Sequence, residues 1–509
     1  MRFRLVGLFS LLGAVLLVFG GAVPVVAQDR GALAADLDAI LSAPGLVDAD
    51  VALVVRTLDG ETVYSRDSNR RQQPASNTKL VTSVAALDIL GPDYTFETTV
   101  HAGGRRHGPV LDGDLYLRGT GDPTMLAADY DTLARQVAAA GVKFVRGDLV
   151  ADDTWFDDVR LGASWAWDDE PFSYSAQVSA LTASPDTDYD AGSIIVRAAP
   201  GQDGKAVVTT EPPTDYVTIV NTAVTGPAGS ANTLDVSREH GANTFTVTGS
   251  IPAGGAVTSR WMAVWEPTGY AAALFRAALS RHGVRVLGRT TSGAVPAGAR
   301  VVTSRQSIPL RELQVPFLKL SNNLHAEILV KAMGRAVSGR GTWSAGLAAA
   351  ASRLPSYGLD PARLSLRDGS GLSRMDQIAP DQLATLLGAV RDRPWFPEWF
   401  AALPVAGKAD RLVGGTLRSR MRGTAAEGVV HAKTGTLTGV SSLSGYVTNK
   451  RGEQWVFSMV TNNSIGVNLK ALEDVVAVRL AQEGGGARIA TPDLAAEMSE
   501  LECSWEKAC

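Results

Sequence analysis

The sequence predicts an α+β fold: an antiparallel sheet flanked by helices, with β-rich inserted domains. Three observations point to it. Helical periodicity occurs toward both ends of the chain, a run of hairpin strands lies near the C-terminus, and a long middle stretch alternates short β-like runs with Gly, Pro, Asp and Asn turns. The chain has 509 residues, 45% of them hydrophobic and 20% charged. That is globular composition with apolar material for more than one core, at about 100–200 residues per domain. It excludes a disordered chain, a collagen-like chain and a polytopic membrane protein. A formal charge of −4 argues against a nucleic-acid partner, which calls for a basic excess.

Read in order, Arg2 and Arg4 precede an apolar run from Leu5 to about Gly20, and Val25-Val26-Ala27 offers small residues at a cleavage site. This is the pattern of a secretory signal peptide over 1–27. It implies a secreted, cell-envelope protein with no integral membrane span after cleavage. Residues 31–42 read as a short amphipathic helix. Residues 51–55 and 61–64 read as strands turning at Asp59-Gly60. A helix is expected from Ser76 to about Leu90, with Leu80, Val84, Leu87 and Leu90 at helical spacing and Gly91-Pro92 as its stop.

The β-like texture then runs from about Tyr94 to Val302, with strands at 114–118, 193–196 and 244–247 and one amphipathic helix near 270–282. From Ser307 helices return, at 318–333 and 380–390. A strand over 428–432 is expected to end in Lys433-Thr434-Gly435-Thr436. Strands at 442–447 and 454–461 follow, turning at 449–452, and a helix over 467–481 closes the fold. The organisation expected is 28–96 as the first part of a catalytic domain, 97–305 as an inserted β-rich region of two nested domains, 306–486 as the second part, and 487–509 as a tail.

Three short motifs carry chemistry. In Ser76-Asn77-Thr78-Lys79, positions i and i+3 share a helix face, so Lys79 can reach the Ser76 hydroxyl. A serine hydroxyl needs a base before it attacks, and a lysine can serve once burial lowers its pKa. The plain alternative is a helix N-cap, and Ser504-Trp505-Glu506-Lys507 fits the same pattern. The second motif, Ser321-Asn322-Asn323, opens a helical run; Ser230-Ala231-Asn232 also matches it, and a cap is again the alternative. The third, Lys433-Thr434-Gly435, can lend positive charge to a site, its glycine letting another backbone approach closely. No Cys and His cluster has zinc spacing and HExxH is absent, so neither metal nor cofactor is expected. His325 and His431 lie near the second and third motifs and read as local structure, because no G-x-S-x-G elbow accompanies them. Cys503 and Cys509 could close one small terminal loop.

The order S-x-x-K, S-x-N, K-T-G resembles that of the penicillin-binding proteins and serine β-lactamases. Ser76 and Ser321 lie 245 positions apart, and the excess coincides with the β-rich stretch. In this the chain resembles the D-alanyl-D-alanine carboxypeptidase/endopeptidase family, peptidase family S13, the class C low-molecular-mass penicillin-binding proteins. Gly119-Thr120-Gly121-Asp122-Pro123, the run Asp368 to Arg374, and Gly415-Thr416-Leu417 are similar to segments of that family. The resemblance implies the transpeptidase-like fold and a serine-type D-Ala-D-Ala carboxypeptidase acting on peptidoglycan stem peptides and acylated by β-lactams, with DD-endopeptidase activity open as a second activity. It implies Ser76 as nucleophile and Lys79 as its base. Ser321 would relay a proton to the leaving amine, with Lys433 close by tuning that relay, and Asn323 would hold the substrate amide. The backbone N–H groups of Ser76 and Thr436 would form the oxyanion hole, with Thr434, Gly435 and Thr436 at the terminal carboxylate. A stem peptide bearing diaminopimelate asks for an acid and a base, for which Asp169 and Arg374 are the candidates. The rival readings are a β-lactamase-like hydrolase and a non-catalytic cell-wall binding protein on the same fold.

Overall fold

The computed structural model describes residues 25–464, 466–485 and 494. Most of the expected signal peptide, both cysteines and the Ser504 motif lie outside the described residues. The central sheet has five strands, in the order Thr62–Arg66, Asp50–Thr57, Gln454–Asn462, Val440–Thr448, Val430–Leu437. Each neighbouring pair is antiparallel. Two strands from the start of the chain thus pair with three from its end, so the sheet closes only after everything between has been folded out.

Period-2 alternation divides the sheet into two faces. Val54, Tyr446 and Val456 point into one core with the helices Thr78–Leu90, Asn323–Ser338 and Pro380–Ala389. Leu53, Val55, Val447 and Phe457 point into the other, against Val25–Leu41 and Leu469–Gln482. Both faces are covered, which explains why the last two strands are buried nearly throughout. Among the described residues no helix is long and apolar enough to cross a membrane.

Several expectations shift. Lys433-Thr434-Gly435 lies inside the strand Val430–Leu437, not at its end, because the whole segment pairs in register with Val440–Val447. The helix expected over 318–333 is two helices, Leu310–Lys319 and Asn323–Ser338. The break falls where Ser321 takes a positive φ of 58° and the Asn322 side chain accepts from the His325 N–H as an N-cap. The Ser76 cap alternative fails: Ser76 lies in a short 3-10 turn, Ala75–Asn77, ahead of the helix Thr78–Leu90, and caps nothing.

Residues 97–305 carry five further sheets and a third core drawn only from residues of this stretch, from Val100 to Val286, with Val302 packed against it. Its first and last strands, Glu97–Ala102 and Arg300–Gln306, pair antiparallel with Glu97 opposite Gln306. The chain therefore leaves and re-enters the helical part at adjacent points, which keeps the loop-closure cost of the long excursion low. The stretch also contains a helix the sequence reading did not anticipate, Ala127–Ala139, whose Tyr130, Leu133, Ala134 and Val137 are buried. That is i, i+3, i+4, i+7 spacing, and it packs against the helix Pro267–Arg281.

Candidate active site

Ser76, Lys79, Ser321, Asn323, Lys433, Thr434, Gly435 and Thr436 converge from three segments that are distant in sequence. Lys79 is fully buried, and its Nζ lies within hydrogen-bond distance of three oxygens: Ser76 Oγ at 2.8 Å, Asn323 Oδ1 at 2.7 Å and the Ser370 carbonyl at 2.8 Å. The first follows from helical spacing. The others require the start of the Asn323–Ser338 helix and the 368–373 loop to pack against it. Burial lowers Lys79 to about 7, although the Asp368 and Glu327 carboxylates pull the other way.

Lys433 donates to Ser321 Oγ at 2.7 Å and to the Thr434 carbonyl at 2.7 Å. Burial pushes it well below the usual lysine range, and Lys79 adds to this. The two lysines thus take separate serines. The left-handed backbone at Ser321 aims its hydroxyl toward the strand instead of along the next helix.

Val430–Leu437 is the edge strand of the sheet. Beyond the bridge between Val405 and His431, its free side faces a narrow cleft of about 50 Å³, lined by Ser76, Tyr174, Ser321, Asn323, Thr434 and Thr436 among others. An edge strand offers unpaired N–H and C=O groups to an extended peptide. Gly435 is required by close approach: a Cβ there would lie 2.9 Å from Ser76 N, 2.8 Å from the Pro74 carbonyl and 2.3 Å from Ser442 Oγ. Gly435→Ala is therefore expected to push the Ser76 backbone away from the strand, at about 1–3 kcal/mol of stability. Thermal unfolding together with the acylation rate by a fluorescent penicillin checks this, and a wild-type rate would count against it.

Asp169 and Arg374 lie near enough for the Arg374 charge to act on the Asp169 carboxyl but form no direct ion pair. Asp169 accepts from the Tyr174 hydroxyl at 2.8 Å. Burial raises its pKa, while that hydroxyl and Arg374 act against the rise. Arg374 donates to the Thr438 carbonyl at 3.1 Å and lines a larger cavity of about 550 Å³ that continues from Thr436 and Leu437 toward Asn468. His325 donates no base to the site: it is buried, lies 2.9 Å from the Tyr189 carbonyl and is lowered to about 4 by burial. His431 stacks on Phe400 and is likewise lowered to about 4.

Sequence reasoning missed three contributors. Tyr174 belongs to the inserted stretch, and its carbonyl accepts from Asn323 Nδ2 at 2.8 Å. Thr416 Oγ1 accepts from Thr434 Oγ1 at 2.8 Å; it had been singled out only as part of a similar segment. Glu327 lies one helical turn after Asn323 and grips the 368–371 loop, so i, i+4 spacing from the S-x-N motif was an available signal. An acidic trio, Asp186, Asp188 and Asp190, brings carboxylate oxygens within 4.8 Å of one another. Arg411 pairs with Asp188, and Asn322 donates to Asp190.

The arrangement suits acyl transfer: a serine against a depressed lysine, a second serine–lysine pair, and an edge strand to hold a peptide. Comparison with known proteins agrees. The D-Ala-D-Ala carboxypeptidase 3 (S13) family model matches residues 33–483. The chain is 48% identical over 506 residues to a D-alanyl-D-alanine carboxypeptidase of Actinomadura sp. (strain R39), covering 96% of this chain and 93% of that protein. It is 29% identical over 392 residues to D-alanyl-D-alanine carboxypeptidase DacB of Haemophilus influenzae, covering 76% and 80%. The crystal structure of penicillin binding protein 4 (dacB) from Haemophilus influenzae superposes with a TM-score of 0.73 at 24% identity, covering 88% of this chain and 97% of that one. That likeness establishes the penicillin-binding-protein fold. With a family model spanning nearly the whole described chain and a relative this similar from end to end, the chain belongs to the D-Ala-D-Ala carboxypeptidase 3 (S13) family of serine peptidases.

Proposed function

We propose that this enzyme removes the terminal D-alanine from peptidoglycan stem peptides through an acyl-enzyme on Ser76, works outside the cytoplasm, and is acylated by β-lactams at the same oxygen. The single observation that carries the reading is the hydrogen bonding of Lys79. A neutral lysine has two N–H donors and one lone pair. Asn323 Oδ1 and the Ser370 carbonyl accept the two N–H groups, which leaves the lone pair facing Ser76 Oγ at 2.8 Å. With its pKa near 7, a large fraction of Lys79 is in that form at neutral pH.

In the first step the Ser76 proton passes to Lys79 while Oγ bonds to the carbonyl carbon between the two D-alanines. The N–H groups of Ser76 and Thr436 take the oxyanion, where loss of one donor costs about 10²–10³-fold. The C–N bond then breaks and the leaving amine takes a proton through Ser321, with Lys433 at 2.7 Å from its hydroxyl. Thr434 and Thr436 receive the departing carboxylate, Asn323 holds the substrate amide, and water hydrolyses the ester. A β-lactam enters the same first step, and a β-lactam complex of the Haemophilus protein has been solved.

Asp169 and Arg374 serve a stem-peptide side chain that ends in an ammonium and a carboxylate. Asp169→Asn is expected to lower kcat/KM about ten-fold for a diaminopimelate peptide, mainly through KM, and to leave a substrate without that ammonium unchanged. Equal losses on both substrates would remove Asp169 from this role. The reading also takes residues 97–305 as an insertion within one catalytic domain, 28–96 and 306–486, whose segment around Tyr174 completes the cleft.

D-alanine release from a peptide ending in D-Ala-D-Ala tests the function. The reading expects release together with slow loss of bound penicillin. Rapid nitrocefin turnover would favour a β-lactamase-like hydrolase instead, and peptidoglycan binding without D-alanine release would favour a non-catalytic binder.

A further inference from the structure

Three buried carboxylates stand behind Lys79, none of which touches the cleft. Glu327 accepts from the Ser370 N–H at 2.8 Å, the Gly369 N–H at 3.0 Å and Trp343 Nε1 at 2.7 Å. Asp368 accepts from the Gly371 and Ser373 N–H groups, each at 2.7 Å, and from Trp165 Nε1 at 2.9 Å. Asp376 accepts from the Arg367 N–H at 2.6 Å. The partners of Glu327 and Asp368 among these are all N–H donors, the environment an ionised carboxylate needs, and at Glu327 they work against burial and the adjacent Asp368, which raise its carboxyl to about 7. Asp376 differs: burial and the adjacent Asp368 push its pKa far up, and its hydrogen bond with Asp368 acts in the same direction. It is therefore the protonated member and the donor to Asp368.

This cluster connects to the catalytic lysine through one peptide group. Glu327 holds the N–H of Ser370, and the carbonyl of Ser370 accepts from Lys79 Nζ at 2.8 Å. The loop has little freedom here, since at Gly371 (φ 81°) a Cβ would lie 1.8 Å from the Ala75 carbonyl, next to the nucleophile. Thr82 Oγ1 donates to the Gly369 carbonyl at 2.7 Å, from one helical turn beyond Lys79.

We propose that Glu327 is a positioning residue for the Ser76–Lys79 pair: its carboxylate clamps the Gly369–Ser370 backbone that orients the Lys79 lone pair, and its negative charge, with that of Asp368, faces the Lys79 ammonium. The proposal rests on the reading of Lys79 as base. The groups facing Lys79 are Glu327 from the helix that follows Ser321, Asp368 and Asp376 from the loop, Lys433 from the edge strand and the neutral His325. Glu327 and Asp368 favour the charged lysine against burial. By contrast, Lys79 and burial both disfavour charge on Lys433. The acid cluster thus distinguishes two buried lysines whose ammonium groups would otherwise compete.

The test is the pH profile of Ser76 acylation by a fluorescent penicillin, measured on the full chain. The wild-type rate rises to a plateau as Lys79 loses its proton. Removing a neighbouring negative charge lowers the lysine pKa, so Glu327→Gln should move the rising limb to lower pH by about 0.5–1 unit. It should also lower the plateau about ten-fold or more, through misplacement of Ser370. Glu327→Asp keeps the charge on a shorter arm and should lose plateau with the limb in place. Asp376→Asn replaces one neutral donor with another and should leave the limb unmoved. A Glu327→Gln limb that stays put, or moves to higher pH, overturns the proposal and leaves Glu327 a strut. A shift with Asp376→Asn overturns the proton assignment. If Glu327→Gln yields no folded protein, Glu327→Asp decides: a wild-type plateau overturns the clamp. Failure here with wild-type labelling at Ser76 intact would sink only this inference, whereas labelling away from Ser76 would sink the reading beneath it.

Discussion

Ser76→Ala is expected to abolish covalent penicillin labelling and to lower D-alanine release by about 10⁴-fold or more. The size follows from the chemistry: without Oγ there is no acyl-enzyme, and the remaining groups can only bind the peptide and polarise its carbonyl. The fold should survive. Ser76 is almost wholly buried in a short 3-10 turn, and the Pro74 carbonyl and the Asn77 side chain on either side of it are both hydrogen-bonded to Ser442 of the sheet. Lys79 loses one of three acceptors and keeps Asn323 and Ser370, a cost of about 1 kcal/mol. Thermal unfolding separates this outcome from misfolding. Labelling that persists in folded Ser76→Ala protein would place the nucleophile elsewhere.

Lys79→Met is expected to lower the acylation rate by about 10²–10⁴-fold and to abolish the rising limb of the pH profile near 7. Methionine fills much of the buried channel that the lysine stem occupies, so packing is largely retained. What disappears is the base. The sign of the pH dependence is fixed by the active form. Burial drives Lys79 down to about 7; with the neutral amine as the proposed base, activity is expected to fall as pH drops through that value. If the limb were still present in Lys79→Met, another group would be accepting the serine proton. Lys433 is the obvious rival, but it donates to Ser321, not to Ser76.

Much of this site was legible because its chemistry is written in local spacing. Ser76 and Lys79 meet through i, i+3 geometry on one helix, Asn323 opens a helix at the second motif, and Gly435 is where a strand must pass close to another backbone. The central sheet was readable from apolar runs at both chain ends with a turn at Asn449-Lys450-Arg451-Gly452 between the last two strands. What the sequence did not reveal depends on long-range packing. Tyr174 reaches Asn323 across 149 positions. Glu327 matters only because the 368–371 loop folds over it. The third motif runs mid-strand because its partner strand extends the pairing on both sides. The helix Ala127–Ala139 is a different kind of omission, since its apolar stripe was present but sat inside a region whose turns read as β.

The whole account stands on Ser76 as the atom that becomes acylated. Mass spectrometry of the penicillin adduct with a peptide map tests it most directly. The account predicts one equivalent of penicillin on the peptide that contains Ser76 and none on peptides containing Ser321. An adduct on any other residue, or active enzyme that releases D-alanine yet forms no adduct, would contradict it.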